Sequence, residues 1–260
     1  MASGILMRPS RTLARMRAGG VATCVKCNTA DPRIVDLIGR FDFDAVWLCM
    51  EHVPGSIDVV ERQIMAARAN DLDSVVRVRR GSYSDLTVPL EADAIAVMVP
   101  HVTSAEQARE VVSSTKFHPV GRRPWDGGNA DGAYGMLAPA EYHRQANAER
   151  FTILQIEDPE GIDALDAIAA IEGYEMLLFG PVDYSQGLGC PGALDDPRIA
   201  EARRRVAEAA RAHDKFAGTV GSPETIDALA AMGYQFINLG SDVLGLGDYV
   251  RRLAEALPKR

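Results

Sequence analysis

Short apolar segments alternate along this chain with longer segments in which apolar residues recur every three or four positions. The short segments are rich in β-branched residues and apolar throughout, which is typical of strands buried on both faces of a parallel sheet. We predict eight such strands, at residues 21–27, 45–50, 74–78, 94–100, 151–156, 174–179, 216–220 and 236–239.

The longer segments have the spacing of amphipathic helices, and several begin with a capping residue followed by proline, as at Asp31-Pro32 and Asp196-Pro197. The predicted helices cover residues 31–40, 57–69, 104–115, 139–149, 161–171, 196–213 and 247–257. Alternating strands and helices predict a (β/α)₈ TIM barrel, as one domain over residues 1–260. An open doubly wound sheet is the alternative.

Composition narrows the class of protein. Hydrophobic residues make up 47% of the 260 residues and charged residues 25%, as in globular proteins. The net charge of −8 argues against a nucleic-acid partner. Apolar runs are too short for a membrane helix, and residues 1–8 are too short in their apolar part for a secretory signal. Four cysteines do not make a disulfide framework, so we expect a reduced, cytoplasmic protein.

Carboxylates follow two successive predicted strands, at Glu157 and Asp183. The carboxyl ends of parallel strands carry the active site of a barrel. Two carboxylates there could hold Mg²⁺ or Mn²⁺ and leave coordination positions open for a substrate. The alternative is that Asp183 caps a helix and Glu157 is a charge at the rim.

Basic residues follow other strands at the same end of the barrel. Arg77 could bind a substrate carboxylate through both guanidinium nitrogens, or form a salt bridge at the rim. His52 could act as a general base, or be a structural residue hydrogen-bonded beside Glu51. Cys24 and Cys27 lie three apart in a strand and point to opposite faces, which argues against a redox or metal pair.

Several motifs at these strand ends resemble the HpcH/HpaI aldolases, which are class II, metal-dependent pyruvate aldolases such as the 2-dehydro-3-deoxyglucarate and 4-hydroxy-2-oxoheptanedioate aldolases. The resemblance extends from about residue 21 to residue 242. It is carried by Glu51-His52, Val76-Arg77, Pro100-His101, Gly121-Arg122-Arg123, Gln155-Ile156-Glu157 and Gly180-Pro181-Val182-Asp183-Tyr184-Ser185. The last two motifs are the most specific.

The resemblance implies a role for each matching residue. Glu157 and Asp183 would bind one divalent cation per subunit, Mg²⁺ or Mn²⁺ and possibly Co²⁺. His52 would be the general base, and Arg77 would bind and orient the pyruvyl group. The rest of the pyruvate site would come from Gln155, Gly180, Pro181, Val182 and Asp183. Glu51 and Glu91 would act through metal-bound water or by contacting the metal ligands. Where most members carry an aspartate three residues before the histidine, this chain has Cys49, which would deprive His52 of a charged partner.

The implied activity is reversible aldol cleavage of a 2-oxo-4-hydroxy acid to pyruvate and an aldehyde. Oxaloacetate decarboxylation at the same site and a non-catalytic barrel that binds an oxo acid remain alternatives. Residues 121–135 are a candidate for lining the aldehyde pocket. The family also implies a homohexamer, a trimer of dimers, in which the C-terminal helix at about residues 243–257 is exchanged between subunits.

Overall fold

A computed structural model describes residues 6–258 of the chain. The first five residues of the segment considered above as a secretory signal, and the last two of the predicted domain, lie outside the described residues. Within 6–258 the chain forms eight strands: β1 Ala22–Cys27, β2 Ala45–Cys49, β3 Asp73–Arg77, β4 Ala96–Val99, β5 Phe151–Ile156, β6 Met176–Phe179, β7 Phe216–Val220 and β8 Tyr234–Ser241.

Helices precede or follow each strand. Over the same residues they are α1 Arg11–Arg17, α2 Pro32–Ile38, α3 Ile57–Ala69, α4 Tyr83–Glu91, α5 Ala105–Thr115, α6 Pro139–Glu149, α7 Pro159–Asp163, α8 Leu165–Ala169, α9 Pro181–Gly187, α10 Pro197–Ala212, α11 Ile226–Met232 and α12 Asp242–Glu255. None of the described helices combines the length and the apolar character needed to cross a membrane.

The strands form a closed parallel barrel in sequence order, and β1 pairs with β8 to complete it. The TIM-barrel prediction is therefore confirmed. Alternate strand residues fill the barrel interior, including Cys24, Trp47 and Met98, while the others pack against the helices. Cys24 and Cys27 belong to these two different clusters, as the strand spacing predicts.

The segment that precedes β1 closes one end of the barrel. The buried Leu13 and Met16 of α1 belong to the cluster that fills the barrel interior, and the Asp73 carboxylate accepts a hydrogen bond from Ser10 Oγ at 2.9 Å. The amino ends of the strands are thereby covered. The opposite end, where the carboxyl ends of the strands lie, is what we call the mouth of the barrel.

Several helices differ from the predicted ones. The predicted helix over residues 161–171 is divided into α7 and α8, because Ala164 leaves the helical conformation at φ −91° and ψ 7°. The predicted helix ranges did not include α1, α9 or α11, nor α4, which contains Pro89. Proline usually interrupts a helix because it lacks the amide donor.

Candidate active site

Glu157 is the most deeply buried acidic residue of the mouth. It follows β5 directly, and its relative exposure is 0%. Gln155 Nε2 and the backbone amide of His101 donate hydrogen bonds to its two oxygens, the latter at 3.1 Å. Burial raises the pKa of Glu157 to about 7, Asp183 adds to the rise, and His101 and Arg77 oppose it. The fold thus keeps a carboxyl group where its charge is poorly compensated.

The Gly180-Pro181 turn brings the backbone after β6 close to Glu157. A Cβ atom at Gly180 would lie 2.5 Å from Glu157 Oε2 and 3.1 Å from Gln155 Nε2. Only glycine permits this approach. Pro181 then starts α9, whose first turn carries the half-buried Asp183. The two carboxylates predicted to bind metal therefore follow neighbouring strands, but Asp183 is not among the residues whose ligand atoms lie within 4.8 Å of one another.

Arg77 is buried at the end of β3 and is surrounded by groups of the mouth. Its Nε lies 3.0 Å from Glu51 Oε2, and its Nη2 donates to Cys49 Sγ at 3.1 Å. The guanidinium also lies 5.0 Å from the centre of the Trp47 ring. These contacts orient the guanidinium plane before any substrate arrives. Burial raises the pKa of Cys49, but Arg77, the His52 amide and Lys26 more than offset this and lower it overall.

Two histidines face the Glu51 carboxylate from different strands. His52 Nε2 lies 3.5 Å from Glu51 Oε2, and its side chain is 54% exposed. His101 Nε2, at the end of β4, lies 3.4 Å from Glu51 Oε1. His101 follows a predicted strand, but no role was predicted for it from the sequence. The exposed imidazole of His52 is reachable by a substrate, as a general base must be.

Oxygen and nitrogen donors converge in the mouth. Glu51, His101 and Glu157 each offer a ligand atom, and the three atoms all lie within 4.8 Å of one another. Gln155 Oε1 is also buried and lacks a hydrogen-bond partner among the described residues. Such a donor set suits a divalent cation.

The structure does not bring Glu91 into the mouth. Glu91 ends α4, just before β4, and its carbonyl accepts a hydrogen bond from the Asp131 amide. Its carboxylate lies 3.5 Å from Asn129 Nδ2. Residues 121–135, the candidate aldehyde loop, lie in the same region, because this connection leads from α5 towards the amino end of β5. Within this chain that loop belongs to the end of the barrel opposite the mouth.

Fold and site together define a (β/α)₈ enzyme with acidic and basic groups gathered at the carboxyl ends of its strands. The model of the HpcH/HpaI aldolase/citrate lyase family matches residues 25–246. The chain belongs to this family, and it is a carbon–carbon lyase.

Individual relatives agree with this assignment. A 5-keto-4-deoxy-D-glucarate aldolase of Klebsiella pneumoniae is 29% identical over 253 residues, which cover 96% of this chain and 98% of the relative. The structure of an HpcH/HpaI aldolase from Desulfitobacterium hafniense DCB-2 superposes with a TM-score of 0.89 and 25% identity, covering 95% of this chain and 97% of the other. The citrate synthase SbnG superposes with a TM-score of 0.84 and 27% identity, covering 94% of each chain.

Proposed function

We propose that this protein is a divalent-metal-dependent aldolase that reversibly cleaves a 2-oxo-4-hydroxy acid to pyruvate and an aldehyde. The observation that carries the proposal is Glu157, a fully buried carboxylate at the mouth of the barrel. Within residues 6–258, no lysine or arginine lies within 4 Å of its oxygens. A buried carboxylate without a positively charged partner is costly, and a bound cation would compensate its charge.

The residues present fit a divalent cation. In this proposal Glu157 and Asp183 supply carboxylates. Gln155, whose side chain contacts Glu157, carries a buried oxygen that has no hydrogen-bond partner among the described residues. When bound, a divalent cation would stabilise the negative charge that develops on the keto oxygen as the carbon–carbon bond breaks. Mg²⁺, Mn²⁺ and Co²⁺ are the candidate ions.

The substrate contacts follow from the surrounding side chains. Arg77 is buried and held by Glu51 and Cys49, so its guanidinium can bind the carboxylate of the pyruvyl group with little loss of freedom. Gln155 and the backbone from Gly180 to Asp183 lie beside Glu157 and complete the pyruvate site. His52 accepts the proton of the C4 hydroxyl during cleavage and returns it during aldol addition.

Decarboxylation of oxaloacetate is a second candidate activity, and Cys49 is the observation that favours it. The sulfur of Cys49 accepts hydrogen bonds from Arg77 and from the His52 backbone, so the His52 ring gains no charged partner from this position. Decarboxylation needs no base for a C4 hydroxyl and would tolerate a weakened His52. A barrel that binds an oxo acid without turnover would tolerate it as well.

Activity assays distinguish these candidates. Purified protein is assayed with pyruvate plus a panel of aldehydes, and separately with oxaloacetate, with and without Mg²⁺ or Mn²⁺. Metal-dependent aldol formation supports the aldolase, and turnover of oxaloacetate alone supports the decarboxylase. Borohydride in the presence of pyruvate should leave Lys26 unmodified, because the proposed mechanism uses no Schiff base.

Removing one carboxylate tests the predicted metal pair. Asp183→Ala should lose divalent-cation binding and activity together. Binding is measured by calorimetry with Mn²⁺, and folding is checked by circular dichroism. Wild-type metal affinity in Asp183→Ala would show that this residue is not a ligand.

The C-terminal helix supports assembly with further copies of the chain. None of the residues of α12 is buried, and its exposed apolar side chains include Leu244, Leu246, Tyr249, Val250 and Leu253. Apolar patches of this kind mark interaction surfaces. We expect α12 to pack on a neighbouring subunit in a homohexamer. Light scattering should show a smaller species for the double variant Leu244→Asp, Leu253→Asp.

A further inference from the structure

His101 stands at the carboxyl end of β4 in a backbone conformation that histidine seldom adopts. Its φ is +53°, in the left-handed region. Strain of this kind persists only where the surroundings impose it, and it concentrates at functional sites. The amide of the same residue donates to Glu157 Oε1 at 3.1 Å. The strained backbone is thus tied directly to the buried carboxylate of the mouth.

One nitrogen of the His101 ring has a dedicated carboxylate partner. Nδ1 lies 3.0 Å from Asp158 Oδ2. Asp158 occupies the N-cap position of α7, yet its side chain makes no capping hydrogen bond and turns to the imidazole instead. An ionised carboxylate can only accept, so this contact places the ring proton on Nδ1. The lone pair of a neutral ring is then on Nε2.

The other nitrogen faces the acidic groups of the mouth. His101 Nε2 lies 3.4 Å from Glu51 Oε1 and 3.8 Å from Glu157 Oε1. Ligands held at about 2.1 Å from one ion can be separated by at most about 4.2 Å. Both measured separations are shorter than this limit. The third separation, between the Glu51 and Glu157 oxygens, is at most 4.8 Å, so a small movement of one carboxylate lets the three atoms share one ion.

We propose that His101 is a ligand of the divalent cation through Nε2, and that Asp158 fixes the ring in the tautomer that ligation needs. The inference rests on the proposed function, since it concerns the same cation. A carboxylate that accepts from the remote nitrogen is the usual support of a metal-binding histidine. Imidazole suits first-row transition ions, whereas Mg²⁺ prefers oxygen ligands. The site of this chain therefore favours Co²⁺ over Mg²⁺.

Pulsed electron paramagnetic resonance of the protein loaded with Mn²⁺ tests the ligand directly. The wild type should show a ¹⁴N coupling from a bound imidazole. His101→Asn removes the imidazole while keeping a residue that tolerates positive φ, and the coupling should disappear. His213→Asn, which changes a histidine at the end of α10, is the matched control and should keep it. Circular dichroism verifies that each variant is folded.

Calorimetry tests the two consequences for affinity. Asp158→Asn should weaken Mn²⁺ binding by about 10- to 100-fold, the usual effect of losing the carboxylate behind a histidine ligand. The preference of the wild type for Co²⁺ over Mg²⁺ should shrink by at least about 10-fold in His101→Asn. Wild-type protein that binds Mn²⁺ without ¹⁴N coupling would overturn the role of His101 and leave the proposed aldolase standing. Failure of the wild type to bind any of these ions would overturn both.

Discussion

The two ends of the barrel treat buried carboxylates in opposite ways. At the amino end, Asp93 is paired with both Arg68, at 2.9 Å, and the buried Arg150. Asp73, also at that end, is paired with Arg8 at 2.9 Å. At the mouth, the equally buried Glu157 receives hydrogen bonds from an amide side chain and a backbone amide, and its nearest cationic candidate is His101 at 3.8 Å.

The comparison distinguishes carboxylates that stabilise the fold from one whose burial lowers the stability of the fold. A buried acid with arginine partners is matched in charge by the protein itself. A buried acid without such partners becomes matched in charge only when a positively charged ligand binds. Carboxyl groups with perturbed pKa values therefore mark functional sites. Burial alone does not distinguish the two ends, whereas the charge of the contacting groups does.

Neutralising Asp93 should have the largest effect. Asp93→Asn leaves the guanidinium of Arg150, which is 2% exposed, without its carboxylate. We expect a loss of about 3–5 kcal/mol in the free energy of unfolding, as for other broken buried ion pairs. The midpoint of urea unfolding measures it. Asp58→Asn, which breaks an exposed pair with Arg62, should cost at most about 0.5 kcal/mol, and an equal loss in the two variants would contradict the assignment.

Neutralising Glu157 at the mouth should raise the free energy of unfolding, whereas neutralising Asp93 lowers it. The folded-state pKa of Glu157, about 7, lies above the ordinary value of 4.5, so deprotonation between these values costs stability as pH rises. In the presence of a chelator, Glu157→Gln should therefore be more stable than wild type at pH 8, by about 1–3 kcal/mol, and nearly equal to it near pH 4.5. Urea unfolding at both pH values measures this. Parallel pH dependence in the two proteins would place the pKa of Glu157 near its ordinary value.

Local sequence signals predicted most of the barrel. The bounds of β5 and α3 agree with the structure to the residue, because a continuous apolar run and a regular amphipathic repeat are each visible within a few turns of chain. α4 was not predicted because Pro89 lies within it. The helix forms even though this residue has no amide hydrogen to donate. Strand ends likewise placed Arg77, Gln155 and Glu157 at the mouth.

Contacts between distant residues could not be predicted in this way. The ring of His101 meets Asp158, 57 positions away, and only the closed barrel brings these two strand ends together. Asp158 precedes a proline, as a helix cap often does, but its side chain makes no capping hydrogen bond and contacts His101 instead. Glu91 rested on the family resemblance alone, and its place at the end of α4 separates it from the other residues of the site.

Arg77→Lys tests whether the mouth binds a planar carboxylate. An ammonium group cannot reproduce the two parallel hydrogen bonds of a guanidinium. We expect a cost of about 2 kcal/mol in the binding of the transition state, which is about 30-fold in kcat/KM. Steady-state kinetics with pyruvate as the varied substrate measures it. Arg79→Lys, whose wild-type side chain donates to backbone carbonyls outside the barrel interior, is the control, and wild-type kinetics in Arg77→Lys would exclude a bidentate contact.

Cys49→Asp should have the smallest effect, and it tests whether the mouth of this chain has a weakened base. Cys49 Sγ already accepts hydrogen bonds from Arg77 at 3.1 Å and from the His52 amide at 3.4 Å, so an aspartate there would find donors in place. Its charge would stabilise the protonated imidazole of His52 and move the acidic limb of the pH–rate profile to higher pH. Because Arg77 shares that charge, we expect aldol turnover to rise by only about 10-fold, at the low end of such effects.

Cys49→Asn is the matched control for Cys49→Asp, since it has nearly the same shape without the charge. The pH–rate profile of Cys49→Asn should have the same acidic limb as that of the wild type. Cys49 is also 6% exposed and packs among the apolar residues of the barrel interior, so its first role could be packing. In that event Cys49→Asp would lower the thermal midpoint and leave the pH–rate profile unchanged, because a buried charge would then cost stability without reaching His52. An upward-shifted limb with faster turnover would instead show that the thiol limits the base.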